Sequence, residues 1–419
     1  MVNYFTEHES LIGKPKILFI QGLQPISYPE CTVSNDFNRL ETDSNQQANS
    51  GHRSFRIPKY ADFLLFYNVN VSNTVQTLCQ VLSESAHQYD LMTLLSIVCE
   101  RIRSNNERSH EIPFINSTLT RLVSLTCNQF NNNNNNNTFP NKQTPSNSIN
   151  HNEHKKNLFD NSSVCKMIDW ENRGECYIFN YENFDNPQWQ RRLGTEMDVN
   201  KLKQTFKELN FNIHHYNNDL TTLETLQKLK RLSRENFNHI QCLVICLLSH
   251  GEDNGILHCK DGTINRNDVI NYLVMNKSLA GKPKFVFFQS CQGKQRDYGH
   301  ETVTDCAICE DYNQNHNLNN YSITSSPVKH HNDADLFIFS SSYPGHYSYR
   351  NPRYGSWFIQ ALCHVLQLHN SEHDLATIAA KVCRIVGYNQ QSKQKEKQIP
   401  FLYSTLSKPI KFRPPPSKS

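Results

Sequence analysis

Six short stretches built on apolar, branched and aromatic positions stand out after residue 165, at 176–179, 211–216, 242–248, 285–288, 336–339 and 401–406. Runs of this length, rich in branched and aromatic side chains, predict buried strands. Between them apolar positions recur at helical spacing: Leu202, Phe206 and Leu209, then Leu223, Leu226 and Leu229. Further helical patterns cover 269–275, 357–368 and 375–386. Strands alternating with helices predict an α/β fold, with a largely parallel sheet covered on both faces. Functional groups in such a sheet belong at the carboxyl ends of its strands.

The polar positions divide the chain. Residues 131–137 are an unbroken asparagine run, and the flanks across 127–164 are Asn, Thr, Pro, Ser, His and Lys. Such a stretch buries too little apolar surface to offset its ordering entropy, so it reads as a disordered linker. A second polar stretch, 294–332, interrupts the later region. The expected units are therefore 1–126, the linker 127–164, and 165–413, the last dividing into 165–305 and 306–413.

The two sides of the linker repeat one another. Gly13-Lys-Pro-Lys-Ile-Leu-Phe-Ile-Gln21 parallels Gly281-Lys-Pro-Lys-Phe-Val-Phe-Phe-Gln289, and Ala61-Asp-Phe-Leu-Leu-Phe66 parallels Ala334-Asp-Leu-Phe-Ile-Phe339. Leu78-Cys-Gln-Val-Leu82 parallels Leu362-Cys-His-Val-Leu366, and Ile112-Pro-Phe-Ile-Asn-Ser-Thr-Leu119 parallels Ile399-Pro-Phe-Leu-Tyr-Ser-Thr-Leu406. The intervals Cys79 to Asp90 and Cys363 to Asp374 are equal, as are Asp90 to Cys99 and Asp374 to Cys383. Residues 11–125 thus read as a partial, diverged copy of 279–410.

Composition adds limits. Hydrophobic residues make up 37% of the chain and mean hydropathy is −0.65, low enough to fit a part that does not pack. A net charge of +4 and a pI near 8.3 call for neither nucleic acid nor an acidic membrane as partner. No run approaches the ~18 apolar residues of a membrane span, and the first residues do not form a signal peptide. The cysteines, among them Cys79, Cys99, Cys242, Cys246, Cys363 and Cys383, lie inside strand or helix patterns. Buried free thiols in a reducing compartment fit this better than a disulfide framework, which implies a soluble cytoplasmic protein.

The candidate chemistry sits at two strand ends. Cys242-Leu-Val-Ile-Cys-Leu-Leu248 runs into Ser249-His250-Gly251, and Lys284-Phe-Val-Phe-Phe288 runs into Gln289-Ser-Cys-Gln-Gly293. A thiol and an imidazole delivered to neighbouring strand ends are the minimum for a cysteine nucleophile, Cys291, with a histidine base, His250. Taken singly, each could be a core cysteine and a turn histidine.

Gln289-Ser-Cys-Gln-Gly293 resembles the pentapeptide signature of caspases, whose histidine lies about 50 residues upstream. The resemblance runs from about Cys165 to Phe412. It implies the caspase fold, a mostly parallel six-stranded sheet flanked by helices, here with a partial second copy of its C-terminal half. It implies a cysteine endopeptidase that cuts protein substrates after aspartate, with Cys291 as nucleophile, His250 as base and Gly251 N–H in the oxyanion hole. It also places Arg192, Arg350 and Gln289 around the P1 carboxylate, a geometry that suits guanidinium forks. Tyr347, Tyr349 and Trp357 resemble the walls of neighbouring subsites, although each could be core. Arg191 is expected to be an ordinary surface arginine. No cofactor is implied.

The Tyr-Arg-Asn-Pro and Cys-Gln-Gly segments look more like an initiator caspase, acting in apoptosis or innate immune signalling, with adaptor proteins as possible partners. Ser290 stands where alanine is usual, and its hydroxyl needs a partner if buried. Candidate processing sites are Asp305, in Thr302-Val-Thr-Asp305, Asp43, in Leu40-Glu-Thr-Asp43, and Asp160; the first two are expected in loops. Cys306-Ala-Ile-Cys309 with His316 lacks a second cysteine pair, so a metal site is not expected.

The diverged copy carries Leu23 where the cysteine would stand, and its counterpart of the Arg350 loop is shorter. It cannot attack a peptide bond. Standing alone it would expose an apolar edge and face. Either the chain is truncated, or the half-copy leans on the complete one through 114–119 and 401–406 as an intramolecular pseudo-dimer, the alternative to an ordinary homodimer. A non-catalytic scaffold or modulator of another caspase is the alternative function.

Overall fold

In a computed structural model, which describes residues 5–6, 8–21, 54–68, 74–105, 113–125, 165–216, 219–303 and 335–416, the apolar runs join one nine-stranded sheet. The N-terminal part supplies β1 (Lys16–Gln21), β2 (Ser54–Ile57), β3 (Phe63–Asn68), α1 (Thr74–Ser85), α2 (Leu91–Asn105) and β4 (Phe114–Ser117). The C-terminal part begins with β5 (Lys166–Ile168), β6 (Gly174–Asn180), α3 (Thr195–Glu208), β7 (Phe211–Tyr216), α4 (Thr222–Leu232) and β8 (Cys242–Leu248). It continues with β9 (Ile256–His258), β10 (Thr263–Asn265), α5 (Arg266–Val274), β11 (Lys284–Gln289), β12 (His300–Val303) and β13 (Leu336–Ser340). The last elements are β14 (Arg350–Asn351), β15 (Gly355–Ser356), α6 (Trp357–His369), α7 (Leu375–Arg384), β16 (Phe401–Ser404) and β17 (Ile410–Phe412).

The sheet order is β1-β3-β4-β16-β13-β11-β8-β6-β7. All six expected strands of the complete copy are present, but they continue without a break into three strands of the N-terminal part. β7, β6, β8, β11 and β13 are parallel; β16 runs antiparallel to β13. The central strands are apolar on both faces because both faces are covered. Along β8, Cys242, Val244, Cys246 and Leu248 enter a core shared with α3, α6 and α7, while Leu243, Ile245 and Leu247 enter the core under α4 and α5.

β4 and β16 pair antiparallel at the middle of the sheet, with Asn116 opposite Tyr403. The expected edge on the N-terminal part is covered there, and the two parts share further contacts. Arg103 and Asp335 form an ion pair at 3.4 Å with both side chains nearly buried. Phe114 packs between Tyr67 and Tyr403, at centroid distances of 5.0 and 5.1 Å.

The two sides also match in detail. Asp62 and Asp335 both have positive φ, at 63° and 59°. Asp62 accepts from Thr120 N–H and Oγ1–H, and Asp335 accepts from Ser407 N–H and Oγ–H. The Lys16 and Lys284 amides donate to the Asp62 and Asp335 carbonyls.

Two features depart from the sequence expectation. Cys79 is exposed, because α1 turns Thr77, Leu78 and Val81 inward instead. Thr302 and Val303, expected in a loop, lie in β12, paired with β2. Among the described residues no helix is long and apolar enough to cross a membrane.

Candidate active site

Parallel register brings the two tips together. Leu248 of β8 lies opposite Gln289 of β11, and Ser249 N–H donates to the Gln289 carbonyl at 3.1 Å. His250 and Cys291 therefore each stand two residues beyond the last paired position. The turn after His250 packs directly on Cys291. A Cβ built on Gly251 would lie 2.4 Å from the Cys291 carbonyl oxygen and 3.0 Å from Ser290 Cβ.

The Cys291 sulfur receives the Ser348 N–H at 3.4 Å. Burial pushes its pKa up; the Ser348 N–H and the charges of Arg192, Arg266 and Arg350 pull it down. His250 Nε2 lies 2.7 Å from the Gln190 carbonyl. A carbonyl only accepts, so Nε2 carries the proton and Nδ1 is left as the acceptor. The ring sits between Phe184 and Trp189, with centroids at 5.0 and 5.2 Å. Burial lowers its pKa to about 4, helped by Arg192 and Arg350, so the imidazole is neutral at physiological pH.

Arg192 is wholly buried. Its Nη1 donates to the Tyr181 carbonyl at 2.7 Å and to Thr195 Oγ1 at 2.9 Å, but Nε and Nη2 have no partner. Burial, then the charge of Arg350, lowers its pKa to about 9. Arg350 donates from Nε to the Leu193 carbonyl at 3.0 Å, and burial lowers its pKa too. Gln289, also buried, holds Ser348 Oγ through Nε2 at 2.8 Å and leaves Oε1 without a partner. Two guanidiniums that repel one another, with Nε and Nη2 of Arg192 unpartnered, are suited to a carboxylate. Arg191, in contrast, is 61% exposed and pairs with Glu182.

Tyr349 stacks on Trp357 with centroids 4.7 Å apart, and its hydroxyl lies beside the Glu396 carboxylate. Tyr347 stands apart from that stack, with the Arg296 guanidinium 5.8 Å over its ring. Asp198 of α3 fixes the start of α6 by accepting from Ser356 N–H at 2.8 Å and Gln360 Nε2 at 3.0 Å. This anchors Trp357, the first residue of α6.

Several contributors carry no sequence signal. Gln190 acts through its carbonyl, which any residue would supply. Arg266, at the start of α5, reaches Ser290 Oγ, Ser340 Oγ and the Cys291 carbonyl. It provides the partner that the buried Ser290 hydroxyl requires. Leu23, Asp43, Asp160, Asp305, Cys306, Cys309 and His316 lie outside the described residues.

Comparison with known proteins places this geometry. A family model, Caspase domain, matches residues 1–124 and 173–411. The chain is 34% identical over 261 residues to Caspase-7 of Gallus gallus, covering 58% of this chain and 79% of that protein. It is 33% identical to Caspase-3 of Bos taurus, covering 58% of this chain and 86% of the relative. The crystal structure of Caspase-1 from Spodoptera frugiperda superposes with a TM-score of 0.51 at 29% identity, over 61% of this chain and 96% of that one.

Proposed function

The chain belongs to the caspase family, and from that premise we propose that residues 165–413 are a cysteine endopeptidase that cuts proteins after aspartate. The single observation that carries the specificity is the buried Arg192, with two guanidinium nitrogens unpartnered beside Arg350 and Gln289. An aspartate side chain at P1 would satisfy them, whereas a neutral side chain would leave buried donors unpaired.

In this reading Cys291 attacks the scissile carbonyl and its proton passes to His250 Nδ1. The Gly251 and Cys291 amides receive the oxyanion, and the imidazolium then protonates the leaving amine. Tyr349 and Trp357 wall the groove that receives the residues before the aspartate, with Tyr347 toward its rim. The enzyme is initiator-like, cytoplasmic, and made as a zymogen processed at Asp305, Asp43 or Asp160. It acts in apoptosis or innate immune signalling, recruited by adaptor proteins.

Residues 1–126 are a degenerate half-copy without a nucleophile, tethered by 127–164. The β4–β16 pair and the matched Asp62 and Asp335 support reading the whole as an intramolecular pseudo-dimer. The tether supplies the half-copy at high effective concentration. This missing nucleophile also favours a second reading, a scaffold that modulates another caspase.

A chromogenic Leu-Glu-Thr-Asp peptide, cut by the wild type and left intact by Cys291→Ala, separates the two. Equal signals from both proteins would overturn the protease reading.

A further inference from the structure

The turn after His250 is tied to the start of α5. Gly251 bridges to Leu257, Glu252 N–H donates to the Ile256 carbonyl at 3.0 Å, and His258 N–H donates to the His250 carbonyl at 3.1 Å. Residues 250–258 thus close on themselves. β9 pairs with β10, which sets Ile256 opposite Asn265. From that position the Asn265 side chain serves two partners. Oδ1 accepts the Asn267 N–H at 2.9 Å and caps α5, while Nδ2 donates to the Asn254 carbonyl at 2.8 Å. Asp268 completes the cap by accepting the Asn265 N–H at 2.9 Å. The fit is close: a Cβ on Gly255, whose φ is +76°, would lie 3.2 Å from Asn265 Oδ1.

Arg266, the next residue, reaches the other tip. It opens α5 and is buried. Nη1 donates to Ser340 Oγ, at the end of β13, at 3.1 Å. Nη2 donates to Ser290 Oγ and, at 3.3 Å, to the Cys291 carbonyl. The guanidinium lies 4.8 Å over the Phe288 ring. Phe288 and Ser340 are register partners on β11 and β13, so one planar group spans both strand ends. A charge buried this deeply must be hydrogen-bonded, and its fixed fork in turn orders the groups that accept from it.

We infer that Asn265 and Arg266 are positioning residues for the base and the nucleophile: side by side at the start of α5, they tie the turn after His250 to the tips of β11 and β13, and so set how Cys291 and His250 face one another. Neither touches substrate. Asn265 acts through the loop that carries His250, and Arg266 acts through Ser290 and the Cys291 carbonyl. Because the cap makes α5 start at a defined residue, the two tethers cannot shift independently. The kinetic part of this inference rests on the protease reading; the positioning part does not.

The experiment compares the full chain with Asn265→Ser, Arg266→Lys and Arg266→Met. Serine keeps the helix cap and loses the bond to Asn254. Lysine keeps the charge and loses the fork; methionine loses both. Hydrogen exchange, read by mass spectrometry, is expected to speed up roughly tenfold or more at 250–256 in Asn265→Ser and at 289–292 in both Arg266 variants, with β6 and β7 still protected as in the wild type. Leu-Glu-Thr-Asp turnover should lose roughly tenfold or more in kcat in all three, the cost of a small misplacement between reacting groups, with KM nearly unchanged. Arg266 is one of the charges that pull the Cys291 thiol down. The alkaline limb of Cys291 alkylation by iodoacetamide should therefore move up by about one pH unit in Arg266→Met and stay in place in Arg266→Lys. Wild-type exchange at both tips, an unmoved limb in Arg266→Met, or a raised KM at wild-type kcat would each overturn the inference. If β6 and β7 lose protection in Arg266→Met, that variant has not folded, and exchange at the tips in Asn265→Ser and Arg266→Lys decides. A wild type that cuts nothing would defeat the protease reading instead, and exchange and alkylation, which need no turnover, would then decide the positioning.

Discussion

Asp90 and Asp374 cap α2 and α7 in the same way, and the charge of Asp374 bears on Asp90. Asp90 Oδ1 accepts from the amides of Met92 and Thr93, and Oδ2 from Thr93 Oγ1. Asp374 does the same with Ala376 and Thr377. Burial first, and the Asp374 carboxylate second, push the Asp90 pKa up to about 6.

That shift has a definite sign. A carboxyl whose folded pKa lies above its ordinary value binds its proton more tightly in the folded chain, so the folded state loses stability as pH rises through about 6. Asn caps a helix as well as Asp and carries no charge. Asp90→Asn is therefore expected to raise Tm at pH 7.5 by roughly 2–4 °C, corresponding to about 1 kcal/mol once partial exposure is discounted. The gain should shrink at pH 5, where Asp90 is already protonated. Melting curves at both pH values decide the matter, and a lower Tm for the variant at pH 7.5 would contradict the repulsion.

Gly251 leaves no space for a side chain against Cys291. Gly251→Ala would place a methyl 2.4 Å from the Cys291 carbonyl oxygen, a backbone atom that can move only with the tip of β11. The expected result is a loss of about 1–3 kcal/mol in stability. Peptide cleavage should fall at least a hundredfold, because the displaced tip carries the Cys291 amide and shifts it relative to the other proposed oxyanion donor, the Gly251 amide. Chemical denaturation and steady-state kinetics check the two effects separately; full activity would mean that the tip is pliable.

Arg192→Lys keeps the charge and removes the fork. The ammonium cannot donate to Tyr181, Thr195 and a substrate carboxylate along the directions that Arg192 uses. Losing one partner of a buried charged pair costs about 2–5 kcal/mol, so kcat/KM for an aspartyl peptide should drop at least thirtyfold. Discrimination between Asp and Asn at P1 should narrow as well. A variant that retained wild-type discrimination would assign P1 selection to other residues.

Much of the fold was legible because burial on both faces leaves a strong mark. β6, β8 and β11 are buried along their whole length and apolar through their centres, and their ends in the sequence reading fall within two residues of those in the fold. β5 and β17, paired as Lys166–Ile168 and Ile410–Phe412, left no such mark. They are short, and nearly the whole C-terminal part lies between them in the sequence. β2 was invisible for the same reason: its partner, β12, lies on the far side of the linker.

Cys291, His250 and Arg192 were legible as residue types in a family pattern. The sequence offered no equivalent handle on Gln190, which contributes a carbonyl, or on Arg266, whose reach to Ser290 depends on how α5 docks. The neighbours Arg191 and Arg192 differ in what surrounds them: one pairs with Glu182 in solvent, the other is sealed beneath Tyr181 and Thr195.

Burial raises the Cys291 thiol and lowers the His250 imidazole to about 4, so both shifts oppose an imidazolium–thiolate pair. A thiol facing a neutral imidazole then prevails at pH 7, and thiolate appears only as pH climbs into the alkaline range. Iodoacetamide labelling of the Cys291 peptide, followed by mass spectrometry in the substrate-free chain, should rise steadily from pH 6 to pH 9.5 along one limb. A preformed ion pair would instead give a plateau from about pH 5 to pH 8, because the sulfur would already be ionised there. Such a plateau would mean that Arg192, Arg266, Arg350 and the Ser348 N–H together outweigh burial; a single limb would mean that proton transfer to His250 belongs to the catalytic cycle.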